Sequence, residues 1–224
     1  TQATIRDTMF NGNLVISGDT LSGAGGAIAM DGIGSLLLVE RCHFEANEAA
    51  IEGGAIYTED SSDSVVLRDT TFLGNLAVTR NESRTGGVHV HDADTLLVER
   101  CVFQTNQCSA EGAGLHTITV DGVVVHTIFV GNTGEEAAGV LLSGESYIDF
   151  YNCVFEGNDA TGAGSHEGGG AAVRNGSPTS FVNCLFFDNT AVQGAGVYVD
   201  YDAAFYNCTF AENHSDGPGS AIYS

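Results

Sequence analysis

The residues of this chain equipped for chemistry are mostly carboxylates, with a few imidazole and guanidinium groups among them. Glu59, Asp60, Asp63, Asp92 and Asp94 form the densest acidic set. Calcium needs several hard oxygens at about 2.3 to 2.6 Å, so it is the one cofactor this set suggests. Asp also bonds nearby backbone in turns, and that is the competing explanation. His91 and His116 each follow an aliphatic residue of a repeated motif, which sets His91 over His116. With Asp92 or Glu111 the pair would suit a transition metal. Together with Tyr57 they also read as an outward stripe that stacks on sugar rings or on a partner. Arg80 and Arg84 sit in an insert and suit a carboxylate or sulfate on a glycan or an acidic neighbour; local pairing with Glu82 is the plainer alternative. No catalytic residue is assigned, because no cluster of arginine and acids stands out and Arg174 has no acidic partner evident in the sequence.

What must position these groups is a repeat. Phe-x-x-Asn occurs eight times, at Phe10/Asn13, Phe44/Asn47, Phe72/Asn75, Phe103/Asn106, Phe129/Asn132, Phe155/Asn158, Phe186/Asn189 and Phe210/Asn213. A second motif, GGAI at Gly25 to Ile28 and Gly53 to Ile56, degenerates along the chain and ends in an apolar column: Ile28, Ile56, Val90, Leu115, Val140, Val173, Val197 and Ile222. Between the two motifs run short apolar stretches of strand period, and nothing has helical period. Three inserts, at 14–24, 76–86 and 159–169, fall at one point of their repeats and should project from a common edge. Stacking one coil per repeat reproduces such columns directly, which a sandwich would not. The expected fold is therefore all-β: a single-stranded right-handed parallel β-helix, a solenoid of about eight coils over residues 1–224 as one domain. At about 4.8 Å per coil the rod is on the order of 40 Å long.

Five positions before each Phe stands an apolar residue, and two before it stands Cys or Thr, so both columns should face inward. The Phe rings should stack, and each Asn, at its turn, should bond the Asn above and below. Cys42, Cys101, Cys153, Cys184 and Cys208 then act as buried small hydrophobes. Cys108, off that column, is the one thiol expected to be reactive or to pair with another chain. Four and three residues before Phe stand Arg6, Glu40, Arg68 and Glu99 beside Asp7, Arg41, Asp69 and Arg100, a checkerboard of opposite charges that would fix register.

The chain has 29 Asp and Glu against seven Arg and no Lys, for a net charge of -22. Nucleic acid and anionic membranes would repel it. No apolar run approaches the roughly 18 to 20 residues that cross a bilayer, so no membrane insertion by this segment is expected. The chain reads as a mature piece or fragment of a longer repeat protein.

The GGA[ILV] and Phe-x-x-Asn repeats, with Asn-Cys-x-Phe at Asn152 to Phe155, Asn183 to Phe186 and Asn207 to Phe210, resemble the passenger repeats of polymorphic outer membrane proteins and related surface proteins of the pectin-lyase-like class. That resemblance covers essentially the whole chain. It implies an extracellular or cell-surface location and an adhesive, structural or filament-forming role without catalysis. Its partners would be other coils or subunits of the same assembly, a glycan or a cell-surface protein. The alternative it implies is a carbohydrate-active enzyme, a polysaccharide lyase or glycoside hydrolase.

Overall fold

The computed structural model describes residues 2–16, 23–32, 34–59, 62–77, 85–162, 167–175 and 178–224, with the side chains of 62 and 63 excepted. Every element among them is a strand. Three sheets, each eight strands deep, are made only of parallel pairs between successive coils. The second coil shows the pattern: Ser35–Glu40 lies in the first sheet and His43–Glu45 in the second, and the chain then turns through Asn47 and enters the third sheet at Ile56–Glu59. Two three-stranded sheets fill the corner after Asn. The core is the space the coils enclose.

Several corners of each coil need a left-handed residue, and at two of them the sequence supplies it at a fixed offset from Phe. Three before each Phe, the eight residues from Asp7 to Asn207 all have φ between 48° and 55°. Asn, which tolerates this conformation, fills coils six to eight there, whereas Arg41, Arg100 and His126 hold it at a steric cost of about 1 kcal/mol each. The next corner, two residues after Phe, uses Gly12, Gly74, Gly131 and Gly157 but also Ala46 and Thr105.

Inside, the Phe ladder is unbroken. Centroids from Phe10 to Phe210 are 4.5 to 5.1 Å apart in offset stacks. A second stack, Phe150, Phe181 and Phe205, meets the first edge-on. The column five before Phe is in register from Ile5 to Phe205.

The Asn ladder satisfies both of its amide functions. Asn106, fully buried, donates from Nδ2 to Asn132 Oδ1 and to Phe72 O, both at 3.0 Å. Its own Oδ1 accepts from the amide N and Nδ2 of Asn75, again at 3.0 Å. The pattern continues down the rod. Asn158 donates to Asn189 Oδ1 at 2.9 Å and to Phe129 O at 3.0 Å, and Asn189 donates to Asn213 Oδ1 and to Phe155 O, both at 2.9 Å. The Asn-on-Asn ladder expected from the sequence is present, with two features that the repeat alone did not show. Asn47, Asn75, Asn106, Asn132, Asn158 and Asn189 stand at turns yet are 0% exposed, so none of these six can meet a ligand. Nor do they bond only one another: the second Nδ2 hydrogen goes to the carbonyl of the preceding coil's Phe, because an amide enclosed without that acceptor would keep an unpaired donor.

The pair that ends each GGA motif is kept small, Gly or Ala in nearly every coil, because coils pass closely there. A Cβ on Gly114 would lie 2.4 Å from Gly139 O and 3.3 Å from the Phe129 ring. That fixes the register of the third sheet and corrects the sequence reading at two coils. Val88, not Val90, lies over Ile56 and under Leu115, and Ala171, not Val173, follows Val140. The small pairs Gly86–Gly87 and Gly169–Gly170 set the alignment, so His89 rather than His91 lies against His116.

All six cysteines are free thiols. Cys108 stands off the inward cysteine column. It forms a short strand with Gln107, and burial pushes its thiol pKa up to about 12 although backbone of Ala110, Thr85 and Gly86 bonds the sulfur. The whole residue keeps partial exposure, but the sulfur is the atom that would react, and it is enclosed. Only thiolate is nucleophilic, so the raised pKa opposes reaction of this cysteine in the folded state.

Candidate functional site

Polar chemistry gathers on the outer face of the third sheet. Because strand residues alternate in direction, that face presents two columns. One runs Ala29, Tyr57, His89, His116, Leu141, Ala172, Tyr198, Tyr223; the other runs Asp31, Glu59, His91, Ile118, Ser143, with Arg174 the residue that follows Val173 at the end of its strand. The preceding corner leans over the first column, so several outward residues are buried: His89 and Ala172 are 0% exposed and His116 and Leu141 1%.

In the upper half, Tyr57 and His89 rings lie 5.4 Å apart, and His89 meets His116 edge-on at 4.8 Å. His116 Nε2 lies 3.0 Å from Ser143 Oγ, and His89 Nδ1 lies 3.4 Å from Thr85 Oγ1. The Tyr57 hydroxyl donates to Glu59, and its pKa is raised first by burial and then by that bond, with Glu52 adding to it. His91 stands aside from this stack, 3.8 Å from Glu59 and 3.6 Å from Asp92.

In the lower half, Arg174 is clamped between Glu136 and Glu167. All three side chains are 16 to 18% exposed. Burial works against the Arg174 charge, but Glu136 and then Glu167 outweigh it and hold its pKa above the ordinary value. The guanidinium also sits 5.6 Å from the Tyr198 ring centre, and Tyr198 stacks on Tyr223 at 5.5 Å. Arg174 thus has two acidic partners, which the sequence did not reveal because one comes from the corner of another coil. Both carboxylates serve as ion-pair partners for one cation.

Of the residues singled out in the sequence, Tyr57 and His116 share this face but are nearly enclosed, and His91 is half-buried beside them. Glu59 and Asp92 come together only through His91, while Asp94 is exposed. Among the described residues no group of three His, Cys, Asp or Glu is arranged to hold a metal ion. Asp60, the Asp63 side chain, Arg80 and Arg84 lie outside the described residues. His89, Glu52, Glu136 and Glu167 were missed by sequence reasoning. Aligning the repeats on their small pairs instead of their last aliphatic would have placed His89.

The family model described as right handed beta helix region matches residues 5–133 and again 86–224. A protein named metabotropic glutamate receptor-like protein R from Dictyostelium discoideum is 29% identical over 160 residues, an alignment that covers 69% of this chain and 9% of that protein. No solved structure matches the chain.

Proposed function

Because the chain belongs to the right-handed β-helix family, we propose that it is a non-catalytic extracellular segment of a longer surface protein, serving as a rigid adhesive or spacer element. The observation that carries this reading is the continuity of the ladders. Phe and Asn stacks run from the first coil to the last, so bending the rod would break ring contacts and buried hydrogen bonds together. The receptor-like relative, of which the matched segment is 9%, supports a part within a long surface chain. The carboxylates with the most organised surroundings, Glu136 and Glu167, are held by Arg174, which favours a structural role for them over glycoside or lyase chemistry.

Recognition in this proposal falls on the edge that carries the inserts, with Arg80 and Arg84 as anion-binding groups for a glycan or acidic neighbour; calcium would be held separately, by Glu59, Asp60, Asp63, Asp92 and Asp94. The test displays the chain on a cell and measures binding to a glycan array and to other cells, with and without chelator, beside a panel of polysaccharides assayed for new reducing ends or unsaturated products. Binding lost in the Arg80→Ser/Arg84→Ser variant, with melting unchanged, supports the edge. Turnover of any polysaccharide at ordinary enzyme rates overturns the non-catalytic reading.

A further inference from the structure

The checkerboard pairs charges between successive coils. Arg6 pairs with Glu40 at 2.7 Å, Arg41 with Asp7 at 2.7 Å and Glu40 at 2.8 Å, Arg68 with Glu99 at 3.2 Å, and Arg100 with Asp69 at 2.7 Å. These four Arg and four carboxylates cancel, so the whole net charge of -22 resides elsewhere. This is the stretch of surface where another copy of so acidic a molecule meets least repulsion. Beside it on the first sheet, in coils two to five, runs an outward, partly buried apolar column, Leu38, Val66, Leu97 and Val123, which gives way to Asp149 and Ser180 in coils six and seven. Strands here are apolar on both faces, the pattern of a parallel sheet that is covered on both sides.

We infer that this face joins two copies of the chain side by side, with the rods parallel. A twofold axis along the rods keeps height and exchanges the two charged columns. Arg6 then faces Asp7 of the second copy, Glu40 faces Arg41, Arg68 faces Asp69, and Glu99 faces Arg100. Every rung meets its opposite. The antiparallel pairing is also complementary in charge, since Arg6 would face Glu99 and Glu40 would face Arg68, but it overlaps only four coils. At about 4.8 Å per coil, four coils give a strip about 19 Å long and eight give about 38 Å. With a width of about 20 Å, only the longer strip approaches the roughly 800 Å² per partner of a stable interface. In coils five to eight the same columns hold Val125, Tyr151, Val182 and Tyr206 against His126, Asn152, Asn183 and Asn207, which set no carboxylate against a carboxylate. The apolar column supplies attraction, and the charges select the partner and its register.

Sedimentation velocity over a range of concentrations tests this together with an inverted variant, in which Arg6→Glu, Asp7→Arg, Glu40→Arg, Arg41→Glu, Arg68→Glu, Asp69→Arg, Glu99→Arg and Arg100→Glu are combined. The inverted chain keeps every internal pair and remains complementary to itself, but it sets like charges against the natural chain. The expected result is that each forms dimers alone, that labelled mixtures show at least tenfold fewer mixed dimers than random pairing gives, and that Leu38→Asp/Val66→Asp, both outward substitutions, abolishes dimers with unchanged circular dichroism. A natural chain that stays monomeric at about 1 mM, or free mixing of natural and inverted chains, overturns the inference. Should the inverted chain not fold, dimers undiminished in Leu38→Asp/Val66→Asp overturn it equally.

Discussion

Replacing Asn106 with Ala removes four hydrogen bonds from the middle of the rod: two donated by Nδ2, to Asn132 and Phe72, and two accepted by Oδ1 from Asn75. The bonds matter less than what they leave behind. The Asn75 amide N–H and one Nδ2 hydrogen become buried donors without acceptors, and Phe72 O loses a donor, all at positions with no solvent access. Asn132 Oδ1 keeps the Asn106 backbone N–H at 3.0 Å. At about 1 to 3 kcal/mol per orphaned buried group, with the carbonyl at the low end, the loss should be about 4 to 6 kcal/mol. Phe103→Ala should cost a comparable 3 to 5 kcal/mol, roughly the range for a large buried ring in a core that cannot collapse. Asn13 is the control: it is exposed, and its side chain reaches only Asn47, at 2.7 Å. Asn13→Ala should therefore cost about 1 kcal/mol. Urea denaturation followed by circular dichroism, with all three variants against the natural chain, reads these differences directly. Equal losses for Asn106→Ala and Asn13→Ala would refute the claim that buried satisfaction, and not mere stacking, gives the ladder its energy.

Three further outcomes are expected. Gly114→Ala, whose Cβ would fall 2.4 Å from Gly139 O, should abolish cooperative melting or cost more than about 3 kcal/mol, whereas Gly74→Ala, with its nearest contact at 3.9 Å, should cost about 1 kcal/mol of left-handed strain; parallel thermal melts compare them. Arg41 holds the Asp7 pKa, and Arg100 the Asp69 pKa, below the ordinary carboxylate value of 3.8. A carboxylate lowered by folding stabilises above its unfolded pKa and stops doing so as pH falls through the folded one, so melting temperature should decline from about pH 4 downward; the Asp7→Asn/Asp69→Asn chain should decline less over that window, and an identical profile would contradict the pairing. Cys108 should resist Ellman's reagent at pH 8 in the folded protein and react at once in denaturant, since burial raises its thiol pKa to about 12; rapid labelling of the native chain would show the sulfur to be accessible.

Much of this architecture is legible because a solenoid turns sequence period into spatial contact. Phe, Asn, the inward column from Ile5 to Phe205 and the alternating charges recur at a fixed offset from one landmark, and in-register parallel stacking sets each of them on its own kind or its opposite. The third sheet was misread at Val88 and Ala171 for an equally physical reason. A slip of one residue would reverse every side chain and betray itself, but a slip of two preserves the inward and outward alternation, so the sequence Val88-His89-Val90 fits either way. Backbone clearance decides between them, through small pairs whose missing Cβ atoms matter only when the next coil is in place. The Arg174 clamp was illegible for a related reason. Its acids come from Glu136 in another coil and from Glu167 at a corner whose length varies between coils, and no fixed spacing encodes a contact that depends on how far each corner leans over the sheet. The sequence by itself therefore determined what repeats along the rod axis, whereas tertiary structure alone decided what meets across a corner, because axial contacts inherit the period of the chain and contacts around a coil depend on loop lengths that have none.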